Sequence, residues 1–237
     1  MADAQLRAPG SAVLVHGMWG VPEDWRWVRG ILEGRGVEVI TPDLPSHRSP
    51  GAGLLDDVEE VREALRRVSR GPVVAAGWSY GCDVMAIAAD GERVARLVYV
   101  SSVPLPAHPL VRDGTLFDGS PQLVWDEHGR FAPPGGWWNT EGTEFTSNVL
   151  QYFDDHPRRA VTRRTLTDPI PAAAWSHTPT TVLLGERDVF NGAEPWSRAR
   201  EKIADVRVVD CDHFIPFTLP GLVADVLLEG VQSQDPN

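Results

Sequence analysis

The sequence predicts an α/β fold: a mostly parallel sheet of about six strands flanked by helices. Three observations predict it. Short, valine-rich apolar runs recur along the 237 residues, as expected of strands buried on both faces. Between them lie segments whose apolar residues repeat at helical spacing. In the middle, Val73-Val74-Ala75-Ala76 runs through Gly77-Trp78-Ser79-Tyr80-Gly81 directly into a helical stretch that ends near Ala89.

Residues Met1 to Gly10 are polar and end in a turn dipeptide, so the first strand is read at Ala12 to Val15, stopping at His16-Gly17. Trp25, Val28, Ile31 and Leu32 give a helix closed by Gly34 and Gly36, and Val37 to Thr41 gives a second strand. Asp56 to Arg67 repeats the helical period through Val58, Val61, Leu65 and Val68, with acidic residues leading basic ones as the helix dipole favours. Val94 to Val100 is the strand after the central turn. From about Leu105 to His177 prolines, glycines and aromatics become frequent, and a structureless loop of that length is improbable inside a compact domain. Residues 105–177 are therefore expected to form an inserted lid, with Gln151 to Thr165 its best helix, between core segments 1–104 and 178–237. Thr180 to Leu184 restores the strand pattern; a helix over Glu194 to Ile203, a strand over Val206 to Val209 and a helix over Leu219 to Leu228 complete the series.

Composition excludes several functions. A net charge of −11 leaves no basic surplus to displace counterions from a phosphate backbone, so nucleic acid is not an expected partner. Two cysteines far apart form no disulfide framework, and no Cys/His spacing suggests zinc. No apolar run is long enough to span a bilayer, and Met1 to Gly10 include no basic segment followed by a long apolar core. A soluble, cytoplasmic protein without metal or organic cofactor is expected.

The chemistry lies just beyond the strands. Ser79 follows the Val73 strand, Asp188 follows Thr181-Val182-Leu183-Leu184-Gly185-Glu186-Arg187, and His213 follows Val208-Val209-Asp210-Cys211-Asp212. In a parallel sheet these positions converge on the carboxyl edge. A serine hydroxyl needs a base to take its proton, and the base needs a carboxylate to fix its tautomer and stabilise its cation. The order Ser, Asp, His is the one expected with a strand–Gly-x-Ser-x-Gly–helix turn. The oxyanion formed on attack needs two preset donors: the Tyr80 N–H at the start of the helix, and one from His16-Gly17-Met18-Trp19-Gly20, with Met18 ahead of Trp19. Trp19 and the lid residues Trp137 and Trp138 are the candidates for contact with a hydrophobic substrate group.

These segments resemble the α/β-hydrolase fold, and more narrowly its small esterase and hydroxynitrile-lyase group. The carriers are Val13-Leu14-Val15-His16-Gly17, Trp25, Pro42-Asp43-Leu44-Pro45-Ser46-His47, Gly77-Trp78-Ser79-Tyr80-Gly81, Gly185-Glu186-Arg187-Asp188 and Asp212-His213-Phe214. The resemblance runs from about residue 12 to 228, is weakest in the lid, and implies Ser79 as nucleophile, Asp188 as acid and His213 as base. Ser46 and Arg48 stand where the family has glycines. The lyases rely on a lid lysine and a first-loop threonine, whereas here the only lysine is Lys202 and the first loop has Gly17. Ester or related acyl hydrolysis is favoured. A thioesterase or carbon–carbon bond hydrolase, a lyase or cyclase using the same triad as acid and base, and a non-catalytic ligand binder are the alternatives. The sequence leaves homo-oligomerisation open.

The other candidates have structural readings. His16 braces its loop and His47 bonds locally; His108, His128 and His156 are solvated; Cys82 is buried packing and Cys211 a small strand residue. Arg158, Arg159, Arg163 and Arg164 are read as a solvated helix face in preference to an anion site.

Overall fold

A computed structural model describes residues 10–104, 123–136, 145–190 and 201–232. Six of its strands form one sheet: β1 (Ser11–Val15), β2 (Glu38–Ile40), β3 (Val73–Trp78), β4 (Arg96–Val100), β7 (Thr180–Gly185) and β8 (Asp205–Val209). Their order is β2-β1-β3-β4-β7-β8 and every pairing is parallel. A separate two-stranded hairpin pairs β5 (Val124–Trp125) with β6 (Phe131–Ala132).

Alternation along the strands divides the core into two layers. Val13, Val15, Ala75, Leu97, Tyr99, Val182 and Leu184 face α2 (Leu54–Arg67) and α3 (Tyr80–Ala88). Ala12, Leu14, Val74, Ala76, Trp78, Val98, Val100 and Leu183 face α1 (Arg26–Gly34) and the closing helix Pro220–Gln232. With both faces covered, β1 and β3 have no exposed residue, which is why they read as continuous apolar runs. Register brings the strand ends level: Val15 lies opposite Gly77, Trp78 opposite Val100, and Gly185 opposite Val209. The residues that follow these pairs therefore emerge at one edge.

Two expectations need correction. The helix expected over Gln151 to Thr165 is α4 (Ser147–Asp155), with a further turn, α5, at Arg164–Thr167. Pro157 is the physical reason. It disfavours helical geometry at the preceding residue, and His156 has left the helix at φ −123°, ψ 75°. Cys211 lies beyond the end of β8, in the loop leading to His213. Most of the helix expected over Glu194 to Ile203 lies outside the described residues. Among the described residues, no helix is long and apolar enough to cross a membrane.

Candidate active site

Ser79 sits between β3 and α3 with φ 53° and ψ −121°, a backbone region that side chains other than glycine rarely adopt. Such a conformation costs roughly 1–3 kcal/mol and persists only where its surroundings enforce it. The flanking structure does so: the Ser79 N–H donates to the Val100 carbonyl at 2.9 Å, and the Ser79 carbonyl accepts from the Cys82 N–H at 2.9 Å. A Cβ at residue 77 would strike the backbone of Gly81 and Cys82, and one at residue 81 the carbonyls of Val15 and His16. Both glycines are thus close-approach positions, as the motif requires, and Ser79 is left partly exposed above the sheet.

Asp188 and His213 meet at the same edge. Asp188 Oδ2 lies 2.8 Å from His213 Nδ1, and both side chains are buried. The other carboxylate oxygen accepts from the Phe190 N–H at 2.9 Å, so the carboxylate is held at both oxygens. With Nδ1–H committed to Asp188, Nε2 is the nitrogen left to accept a proton. The half-exposed Phe190 ring covers the imidazole at a centroid distance of 4.8 Å. Trp78, immediately before Ser79, donates its indole N–H to the His213 carbonyl at 2.8 Å and ties the histidine loop to the elbow, the strand–turn–helix around Ser79.

Of the expected oxyanion residues, Tyr80 is the first residue of α3 and Met18 is partly exposed in the loop after β1. Trp19 in that loop is nearly buried, with φ 65°, and its ring meets Phe131 edge-on at 6.0 Å. It forms a small cluster with Phe131, Val161 and Leu166. Trp137 and Trp138 lie outside the described residues.

Three residues beyond the expected set shape the site. Asp57 is fully buried in α2 and accepts from the Ser46 N–H at 2.8 Å, the Ser46 hydroxyl at 2.6 Å and the Tyr80 hydroxyl at 2.7 Å. Burial outweighs these bonds and pushes its carboxyl up to about 6. A signal for it existed: Asp57 falls on the apolar stripe of α2 beside Leu54, Val58 and Val61. The other two are Arg158 and Arg159, whose expected solvated face is not what forms. Arg158 is buried against Asp24 at 3.0 Å, an ion pair with both side chains almost wholly removed from water. Arg159 forms an ion pair with Asp43 at 2.7 Å and donates to the Gly20 carbonyl at 2.7 and 2.9 Å. Arg163 and Arg164 are exposed; Arg163 lies over the Trp125 ring at 4.5 Å, and Arg164 pairs with Asp168.

His16 and His47 form a buried edge-to-face pair with centroids 4.7 Å apart. Desolvation lowers His16 to about 4 and His47 well below the usual histidine range, so both are neutral near pH 7. Cys82 is also buried, and desolvation raises its thiol well above the ordinary range. Among the described residues, no three His, Cys, Asp or Glu side chains cluster as a metal-ligand set.

A sequence model described as the alpha/beta hydrolase family matches residues 12–226. No curated protein matches the sequence. Among solved structures, a pyrethroid hydrolase from Sphingobium faniae JZ-2 is similar at 17% identity and TM-score 0.69, over 94% of this chain and 98% of that one. A methylesterase from Arabidopsis is similar at 14% identity and TM-score 0.71, over 95% of this chain and 100% of that one. Polyneuridine aldehyde esterase is similar at 15% identity and TM-score 0.71, over 93% and 98%. At these identities the structural likeness speaks for the fold. The family match spans the elbow, the Asp188 loop and the His213 loop, and the chain belongs to the alpha/beta hydrolase family.

Proposed function

We propose that the chain is a serine hydrolase that cleaves a carboxylic ester, or a related acyl compound, through an acyl-enzyme. One observation carries this reading: the strained Ser79 shares a sheet edge with a His213 whose Nδ1 is committed to Asp188 at 2.8 Å. Ser79 Oγ attacks the acyl carbon as His213 Nε2 takes its proton, and the imidazolium is stabilised by the Asp188 carboxylate. The tetrahedral oxyanion is held by the N–H groups of Tyr80 and Met18. Collapse expels the alcohol, which receives the proton from His213. Water, deprotonated by the same histidine, then releases the acid and restores Ser79.

An ester as substrate is consistent with the methylesterase and the polyneuridine aldehyde esterase among the structural neighbours. Residues 105–177 are proposed as the lid over the site, with Trp19, Trp137 and Trp138 supplying apolar wall for a hydrophobic or aromatic substrate group. The buried cluster of Trp19, Phe131 and Val161 supports an apolar surface on that side.

The test is covalent labelling with a fluorophosphonate, read by peptide mass, alongside turnover of a panel of aryl and alkyl esters. Labelling confined to Ser79 and lost in Ser79→Ala is expected, with hydrolysis lost in the same variant. Absence of labelling in the folded wild-type protein sinks the reading; turnover surviving Ser79→Ala redirects it to acid–base lyase chemistry.

A further inference from the structure

We propose that Arg159 is a positioning residue for the oxyanion hole, holding the Gly17–Gly20 loop from outside and fixing the His16 tautomer that aims the Met18 amide. The proposal rests on the reading of Met18 as an oxyanion donor.

Peptide geometry links the amide to its neighbours. A trans peptide sets the Met18 N–H antiparallel to the Gly17 carbonyl, so whatever holds that carbonyl sets the direction of the amide. Among the described residues two donors hold it: His16 Nδ1 at 2.9 Å and the Gly20 N–H at 3.1 Å. The loop is also pressed against the elbow, since a Cβ on residue 17 would stand 2.8 Å from the Trp78 ring.

His16 can donate from Nδ1 only in one neutral tautomer, and its other nitrogen decides which. Nε2 faces the Leu44 N–H at 3.3 Å and Arg159 Nη2 at 3.4 Å. Neither can accept, because a guanidinium and a backbone N–H are donors only. Asp43 Oδ1, at 3.9 Å, is beyond hydrogen-bond reach of Nε2. Nε2 is therefore the bare nitrogen, and Nδ1 carries the hydrogen that the Gly17 carbonyl receives.

Arg159 also grips the far end of the loop. Its backbone N–H donates to the Trp19 carbonyl at 3.0 Å, and Nε and Nη2 donate to the Gly20 carbonyl at 2.9 and 2.7 Å. Between these contacts Trp19 is held at φ 65°, a conformation that must be imposed from outside on a side-chain-bearing residue. Asp43, 2.7 Å from Nη1, orients the guanidinium in turn. The segment after α4 thus completes the preorganisation of a loop far from it in sequence.

The experiment compares wild-type enzyme with Arg159→Gln and Arg159→Lys. It reads kcat and KM on a 4-nitrophenyl ester, inhibition by phenylboronic acid as a tetrahedral mimic, thermal melting, and the imidazole nitrogen signals of His16. Deleting an oxyanion donor outright costs about 10²- to 10³-fold in kcat, so displacing one should cost about 10- to 100-fold. Arg159→Gln is expected to lower kcat by that factor with KM little changed, and to weaken the boronate in proportion. Arg159→Lys, which retains one donor group, is expected to recover part of both. In wild-type protein His16 is expected to carry its hydrogen on Nδ1.

A folded Arg159→Gln with unchanged kcat and boronate affinity overturns the proposal, as does a loss confined to KM, which would make Arg159 a substrate contact. A wild-type His16 protonated on Nε2 overturns it without any variant, and decides the matter if Arg159→Gln fails to fold. Wild-type enzyme that resists fluorophosphonate sinks the hydrolase reading and this proposal together; labelled enzyme indifferent to Arg159 sinks this proposal alone.

Discussion

The Tyr80 hydroxyl donates to Asp57 Oδ2 at 2.7 Å, so the residue after the elbow serine is anchored by its side chain to a fully buried carboxylate of α2. The bond stabilises the elbow helix from behind. Hydrogen bonds to charged groups contribute about 1.5–3 kcal/mol, and removing one leaves the buried carboxylate less satisfied. Tyr80→Phe is expected to lower unfolding free energy by that amount at pH 8 and by less at pH 4.5, where Asp57 holds a proton. Urea titrations at the two pH values check this; equal losses at both would mean the bond does not sense the charge.

Acid should separate the buried carboxyl from the buried histidines. Asp57, raised to about 6, contributes stability that is present below its unfolded value near 4 and lost as pH rises through 6. His16, lowered to about 4, contributes stability that is present above its unfolded value near 6.5 and lost as pH falls towards 4. His47 acts in the same direction as His16. At about 1.4 kcal/mol per pKa unit, His16 alone accounts for a loss of order 3 kcal/mol, which Asp57 partly offsets. Asp57→Asn removes the offset, so its melting temperature should fall more steeply than that of wild type between pH 6.5 and 4.5. Parallel curves would refute the assignment.

Asp188→Asn tests the carboxylate beside His213. The amide can keep one hydrogen bond but not the charge, and can present its NH₂ to Nδ1 and so favour the wrong tautomer. Loss of kcat on the order of 10⁴ is expected, with little change in KM. Ester turnover by a variant whose melting temperature is near wild type provides the check. A loss below tenfold would remove Asp188 from the triad.

Arg158 and Asp24 should behave as a unit. Removing one member of a buried ion pair leaves an uncompensated charge and costs about 3–5 kcal/mol. Arg158→Leu is expected to destabilise by that much, because among the described residues Asp24 keeps only the Tyr152 hydroxyl and the Val21 N–H as donors. The double variant Arg158→Leu/Asp24→Leu should be less destabilised than the sum of the two single changes. Additive effects in chemical denaturation would show that the pair is not coupled.

Much of the fold was legible because its signals are local. Ser11–Val15 and Val73–Trp78 are buried on both faces and read as continuous apolar runs, and Gly77 is required by the backbone of Gly81 and Cys82 within the same turn. The helix expected over Gln151 to Thr165 does not form as one piece, because α4 ends before Pro157. Asp57 was visible in principle, as an acidic residue on an apolar stripe. Its partner Tyr80 was not, since helical periodicity reports which face is buried and not what the face meets.

By itself the sequence determined the α/β alternation, the strand–turn–helix around Ser79, and the placing of Asp188 and His213 just after strands. Each of these depends on residues adjacent along the chain, where steric and hydrophobic preferences act directly. Only the tertiary structure decided that Asp188 meets Nδ1 of His213, that Trp78 ties down the histidine loop, and that Arg158 and Arg159 turn inward onto Asp24 and the Gly17–Gly20 loop. A long, charged side chain has no local preference strong enough to fix its partner. The partner is chosen by which buried carboxylate or carbonyl the folded backbone brings within reach.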